Sequence, residues 1–571
     1  MQSSDPQHKG PVTIPPPLAL AAAARPLDGS IGDAQLADAI RRGSWDVERD
    51  LVVLVGSSPA QAAGGLRRLG QQRILWFRTG DEVEADPPAG VLRVDHLDEV
   101  EAAVRALGVL GDERIGGRAL EAAQAPLYDQ VTARIERTRG ERALCGEPGC
   151  GIAVARVRLE QGLANLPALC LWPGAEAIGG VLSGAPLIIV APGPSLAHNI
   201  DVLRGLRGRA IVLALSHAVV PLLAAGVTPD FVLAADGHDV SYHLAGADLS
   251  GIGALIATAT AHPHLFRSSA PRKVVLSEPG PIDAWLAELV GGAAAAGDGA
   301  VLLPSGGSVA HVALALALRW GCDPIGFVGL DLACPGGRVY VEHCPDGEVR
   351  AAPSADGRSV TLEGWGDGGT ARRGRELASE RQVEVPGWDG NPLGSTFHLS
   401  MAQRWFEETA RRVAGAVRLY NCSEGGAYIG GMRHIRLAGL ASRLPPPAAF
   451  QASAVVARAI AQIEPRVRRR AARERLIELA LELRRHQSPL ARETVSPVPL
   501  LSALVDAEMA GEPRGARGIG EVARRSAALR RWAAWLEPRA VEAERALARQ
   551  DRTSETMRIR VITSSVGGDP T

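Results

Sequence analysis

The chain has 571 residues, 46% of them hydrophobic and 22% charged, and its net charge at pH 7 is −1. That composition describes a packed, multidomain protein; it excludes wholesale disorder, and the near-neutral balance excludes a broad electrostatic footprint for nucleic acid. Lysine occurs only at Lys9 and Lys273, so phosphate contacts fall to arginine, hydroxyls or backbone N–H groups, and the lack of any Gly-Lys-Ser/Thr triplet excludes a P-loop nucleotidase.

In chain order, residues 1–30 are rich in Pro, Ala and Ser and are expected to be a flexible lead-in. They lack a basic region followed by a long apolar core, so no secretory signal is expected. Residues 31–160 hold a small α/β domain and a helical connector. "RDLVVLVGSSPAQAAGGLRRLGQQRILWFRTG" reads strand, turn, helix, strand, and "GVLRVDHLDEVEAAVRALG" repeats the pattern.

Residues 161–440 are the most informative. "PLIIVA", "AIVLALS", "FVLAAD", "ALIATAT", "KVVLSE", "AVLLP" and "PIGFVGLD" are short, continuous apolar runs, and helical patterns alternate with most of them. Strands buried on both faces look like this, so the expected fold class is α/β with a central doubly wound, Rossmann-like parallel sheet. From Ala333 to about Pro386 the chain is rich in Gly, Pro, Arg and Asp, and a long loop is expected. "STFHLSMAQRWFEETARRVAG" then reads as a helix and "VRLYNCSEGG" as a strand entering a Gly turn. Residues 441–550 are Arg/Glu/Ala-rich and helical, and 551–571 read as a tail. No apolar stretch approaches the length of a membrane span. The seven cysteines are odd in number and contain no Cys-x-x-Cys pair, so reduced thiols in a cytoplasmic protein are expected.

In an open parallel sheet, ligands bind beyond the carboxyl ends of the strands. Gly193, Pro194 and Ser195 fall at such an end, as do Ser216 and His217, then Asp236, then Ser305, Gly306, Gly307 and Ser308, and finally Asp331. Gly193 is expected to supply unusual backbone freedom, Pro194 rigidity and Ser195 a helix cap whose neighbouring N–H groups face an anion. "PSGGSVAHV" offers a second bend of the same kind. Asp236 and Asp331 suit a ribose hydroxyl, a metal or the orientation of a base; each also suits a plain turn. His343, His398 and His217 compete as general base. Cys334, His343 and Cys344 lack an evident fourth ligand for a metal. "YNCSEGGAYIGG" is either a closing loop or a structural turn. There is no Asp-x-Asp, the usual metal–sugar-nucleotide motif.

The ordered set "PLIIVAPGPSL", "AGVTPDFVLAAD", "PSGGSVAHVALALALRWGCDPIGFVGLDLA" and "NCSEGGAYIGG" resembles the motility-associated factor family of flagellin glycosyltransferases, whose domain is also called 6-hydroxymethylpterin diphosphokinase MptE-like. The match spans about residues 160–435. The resemblance implies a sialyltransferase-like central domain and transfer of a nonulosonic acid from a CMP-sugar to Ser or Thr of flagellin in the cytoplasm. It implies no cofactor and no metal. Gly193, Ser195, Asp236, Ser305, Gly306, Gly307, Ser308 and Asp331 match the nucleotide-sugar rim; Asn421, Glu424 and Gly425 match the later motif; His343 falls where the family often has a histidine, as the expected base beside Asp331 and Asp236. The family often has Gln where Leu330 stands here, and the stretch from Gly347 to Arg381 is unusually rich in Gly and Arg. Two alternatives remain at this stage: an ATP- and Mg²⁺-dependent pterin diphosphokinase, with Asp236 and Asp331 on the metal, and a non-catalytic flagellin-binding assembly factor.

Overall fold

The computed structural model describes residues 45, 47, 50–57, 60–79, 91–107, 115–145, 152–291 (except 238 and 279), 308–364 (except 358), 380–446, 451–487, 499–510 and 521–566. The lead-in expected at 1–30 and the strand expected over "AVLLP" lie outside these residues.

The first sheet holds β1 (Leu51–Gly56), β2 (Arg73–Arg78), β3 (Val91–Val94) and β4 (Ile115–Ala119) in the order β3-β2-β1-β4, all parallel. Every residue of β1 is buried, as its unbroken run of valine and leucine requires.

The second sheet is the centre of the molecule. Its strands are β5 (Leu187–Val190), β6 (Ile211–Leu215), β7 (Phe231–Ala234), β8 (Ala254–Thr258), β9 (Lys273–Leu276) and β10 (Ile325–Val328). β15 (Leu419–Asn421) and β16 (Arg433–His434) complete it, in the order β16-β15-β10-β5-β6-β7-β8-β9, with every pair parallel. The α/β expectation with a doubly wound sheet is met. Successive side chains point to opposite faces. Ile189, Leu213, Leu233 and Ile256 therefore join one core with the helices Glu176–Leu182, Val309–Arg319 and Phe397–Arg412, while Ile188, Val190, Val212 and Val232 join another beneath Leu196, Leu203 and Leu222.

Two expectations are corrected here. The segment expected to be a loop folds as an antiparallel sheet of β11 (Arg350–Pro353), β12 (Ser359–Glu363), β13 (Glu380–Pro386) and β14 (Pro392–Thr396). Its strands are only partly buried, so they carry few of the apolar residues by which the central strands announce themselves. The helix Glu521–Val566 also continues well beyond residue 550, where a tail was expected.

The C-terminal helices do not stand apart. Leu476, Leu483, Leu504, Trp532 and Leu536 share one core with Leu159, Leu163 and Leu166 of helix Ile152–Leu169 and with Ile282 and Leu286. That places helix Ile152–Leu169 over one side of the central sheet's loops: Asn165 Nδ2 donates to the carbonyls of Ala259 (3.0 Å) and Ala261 (2.8 Å), and Gln161 Nε2 to that of Gly237 (2.7 Å).

Candidate functional site at the carboxyl rim of the central sheet

From β5 the chain winds outward through β6, β7, β8 and β9, then returns to place β10 on the other side of β5. The order reverses between β5 and β10, and there the loops after the two strands part. Such a switch point is where open α/β sheets hold ligands. Gly193–Ser195 follow β5, Ser216 and His217 follow β6, Asp236 follows β7, Asp331 follows β10, and Glu424 and Gly425 follow β15. Ser308 caps the helix Val309–Arg319, its Oγ accepting from the Ala310 N–H at 3.2 Å. Because that helix runs back against the strand it feeds, its start reaches the same rim. Ser305, Gly306 and Gly307 lie outside the described residues.

The first bend is built differently from the expectation. Gly193 has φ −66°, which any residue adopts, so backbone freedom is not why glycine stands there. Close approach is: a Cβ would run into the Asp331 carboxylate and the Gly329 carbonyl. Ser195 is not the cap either. It sits inside the short 3-10 turn Pro194–His198, with Gly193 at the cap position, and its backbone N–H donates to Asp331 Oδ2 at 2.8 Å. The negative group held by this bend is thus the protein's own carboxylate. Asp331 is 3% exposed, and burial pushes its pKa up while Ser195 and His198 pull the other way.

The turn after β15 closes over this pair. Gly426 (φ +72°) packs against the Asp331 backbone, and Ala427 N–H donates to the Asp331 carbonyl at 2.6 Å. A Cβ on Gly425 would lie 3.0 Å from that of Ser195. Asn421 Oδ1 accepts from the Ser423 N–H at 3.0 Å, shaping the turn. Glu424 turns out to serve local structure: Oε1 accepts from the Leu437 N–H at 3.0 Å and Oε2 lies 3.7 Å from Arg436. Four buried polar atoms around the switch point have no hydrogen-bond partner among the described residues: Ser195 Oγ, Asp331 Oδ1, Asn199 Oδ1 and Asn421 Nδ2. Buried polar groups are almost always paired, so such a cluster marks a place for water or ligand.

On the other side of β5 lies a set of groups that the sequence did not bring together. His217 Nε2 lies 3.1 Å from Asp346 Oδ2, the Tyr242 hydroxyl donates to the same oxygen at 2.9 Å, and Ser216 Oγ lies 3.0 Å from His243 Nδ1. The two imidazoles stack at 4.2 Å, and Tyr340 meets His217 edge-on at 4.5 Å. Burial acts to raise the Asp346 pKa, but His217, Tyr242 and His243 together hold it below the ordinary carboxylate range. A buried histidine oriented by an ionised carboxylate has the geometry of a general base. Val341 N–H donates to the Pro192 carbonyl at 2.8 Å, which ties this segment to the first bend.

Of the competing histidines, only His217 falls in this cluster. His343 is exposed with φ +65°, and Asp346, three residues further on, is the group that reaches the rim. His398 is exposed on the helix Phe397–Arg412. Asp236 is half-buried at the end of β7. Cys334 and Cys344 are buried, and burial raises the Cys344 thiol to about 12. No described helix is long and apolar enough to cross a membrane.

The family model for 6-hydroxymethylpterin diphosphokinase MptE-like proteins matches residues 160–337. Among solved structures, a MAf glycosyltransferase from Magnetospirillum magneticum AMB-1 is similar at 15% identity, covering 91% of this chain and 80% of that chain, with a TM-score of 0.38. No curated protein matches.

Proposed function

We propose that this chain, whose residues 160–337 form an MptE-like domain, is a glycosyltransferase that moves a nonulosonic acid from a CMP-sugar to a Ser or Thr hydroxyl of flagellin in the cytoplasm. The observation that carries the reading is the pairing, across β5, of a cluster of buried, unpaired polar atoms with a buried histidine–carboxylate pair. The first suits a donor, the second an acceptor proton. In this reading the CMP phosphate lies at the switch point near Ser308. Asp331 holds the first bend in shape, its Oδ2 engaged by the Ser195 N–H, rather than binding the phosphate. The bond from the sugar's anomeric carbon to the CMP phosphate oxygen breaks, and the acceptor oxygen bonds to that carbon. His217 takes the acceptor proton, with Asp346 stabilising the imidazolium that forms.

The description of the matching family favours a second reading, an ATP- and Mg²⁺-dependent diphosphokinase with Asp236 and Asp331 on the metal. A carboxyl buried like Asp331 and already engaged by Ser195 is a poor Mg²⁺ ligand, since Mg²⁺ requires ionised, water-accessible oxygens. Calorimetry separates the two. CMP binding without metal is the expected outcome. ATP binding that needs Mg²⁺ would favour the diphosphokinase, and binding of neither would leave a non-catalytic assembly factor.

A further inference from the structure

We infer that Asp239, His262 and His264 form a site for a divalent transition-metal ion on the rim beyond β7 and β8. The inference does not depend on the glycosyltransferase reading, and it departs from the metal-free expectation for this fold. Asp239 lies in the loop after β7. His262 and His264 follow β8 and flank Pro263, which opens the short helix Pro263–Phe266 and fixes the backbone between them. His264 Nδ1 lies 2.7 Å from Asp239 Oδ2 and His262 Nδ1 3.5 Å from Asp239 Oδ1. All three donor atoms fall within 4.8 Å of one another.

Ring orientation separates this cluster from the buried one. The lone pair of an imidazole nitrogen lies in the ring plane. His262 and His264 meet at 81° with centroids 4.6 Å apart, so their lone pairs can converge on one ion. His217 and His243 stack at 12°, so theirs run side by side and suit proton transfer instead. His262 Nδ1 also lies 3.5 Å from the His264 N–H, at the outer limit of a hydrogen bond, which an ion bound at Nδ1 would displace. Asp239 Oδ1 accepts from the Ser241 N–H at 3.0 Å, which aims the carboxylate. Two imidazoles and one carboxylate suit zinc, cobalt or nickel better than magnesium or calcium. With side chains 27–51% exposed, water or an anionic ligand oxygen can complete the coordination.

The test titrates the full chain with Co²⁺ and with Zn²⁺, reading stoichiometry by calorimetry and Co²⁺ coordination by visible absorption. The wild-type chain is expected to bind one equivalent that His264→Ala loses and that Asp239→Asn binds at least tenfold more weakly, both variants keeping the wild-type circular dichroism and melting curve. Equal stoichiometry and affinity in the wild type and His264→Ala overturns the site. So does the absence of any uptake by the wild type. Loss of the equivalent in His243→Gln with retention in His264→Ala moves the metal to the buried cluster and equally overturns it.

Discussion

At the residue scale, the switch point depends on two residues that each exclude an alternative. Gly193 is glycine because Asp331 and the Gly329 carbonyl occupy the space where a Cβ would stand. Gly193→Ala is therefore expected to destabilise the fold by about 1–3 kcal/mol, as forced overpacking does, measured by chemical denaturation. Asp331 is the reciprocal case. Its folded pKa is raised, so the native state favours the proton more than the unfolded chain does, and an ionised Asp331 weakens the fold at neutral pH. Asp331→Asn keeps an acceptor for the Ser195 N–H and removes the titration. At pH 7 the variant is expected to melt at or above the wild-type temperature, and its advantage should shrink as pH falls through the raised pKa toward 3.8, where the wild-type carboxyl becomes neutral as well. A wild type that is more stable than the variant at pH 7 would show that the ionised carboxylate is needed for folding. The sequence pointed to both residues, because glycine and aspartate at a strand end are conspicuous, but it gave the wrong reason for the glycine. It could not connect His217 to Asp346: the two are 129 positions apart, no spacing rule spans that interval, and the more obvious His343 lies close by.

At the element scale, Arg381 of β13 ties the antiparallel sheet β11–β14 to the N-terminal domain. Arg381 Nε donates to Glu99 Oε1 at 2.9 Å, Nη1 lies 3.5 Å from Asp95 Oδ2, and the guanidinium sits 4.5 Å from the Phe397 ring. Arg78 and Arg93 also bond Asp95, and together with Arg381 they hold its pKa down although burial alone would raise it. Arg381→Ala leaves Glu99 buried with less compensation, and a loss of roughly 1–3 kcal/mol is expected. Limited proteolysis should then cut first between residues 350 and 396; an unchanged cleavage pattern would mean that the sheet is held by other contacts. This sheet was not legible in advance because its half-exposed strands lack continuous apolar runs and lie in a stretch of sequence rich in Gly and Arg. The central strands were legible for the opposite reason: burial on both faces demands continuous apolar runs.

At the scale of the whole molecule, the C-terminal helices complete a core begun by helix Ile152–Leu169 and helix Pro281–Leu289. Through Asn165 and Gln161 the first of these also braces the loops after β7 and β8. Trp532 is fully buried at the centre of this core. Trp532→Ala is expected to cost about 3–5 kcal/mol and, by loosening helix Ile152–Leu169, to disturb the rim as well. The check is hydrogen exchange at residues 259–264: faster exchange supports the coupling, and exchange unchanged from the wild type rejects it.

The sequence by itself determined the local structure. In the central sheet, apolar runs, their lengths and the Gly, Pro and Ser bends between them fix which segments become strands and helices, because each depends on neighbours a few positions away; the half-exposed strands β11–β14 carry no such runs. The tertiary structure alone decided the strand order that puts β10 against β5. It also decided that a carboxylate fills the first bend and that His217 meets Asp346. These outcomes depend on which distant segments share a buried space, and close packing settles that only when the whole chain has folded.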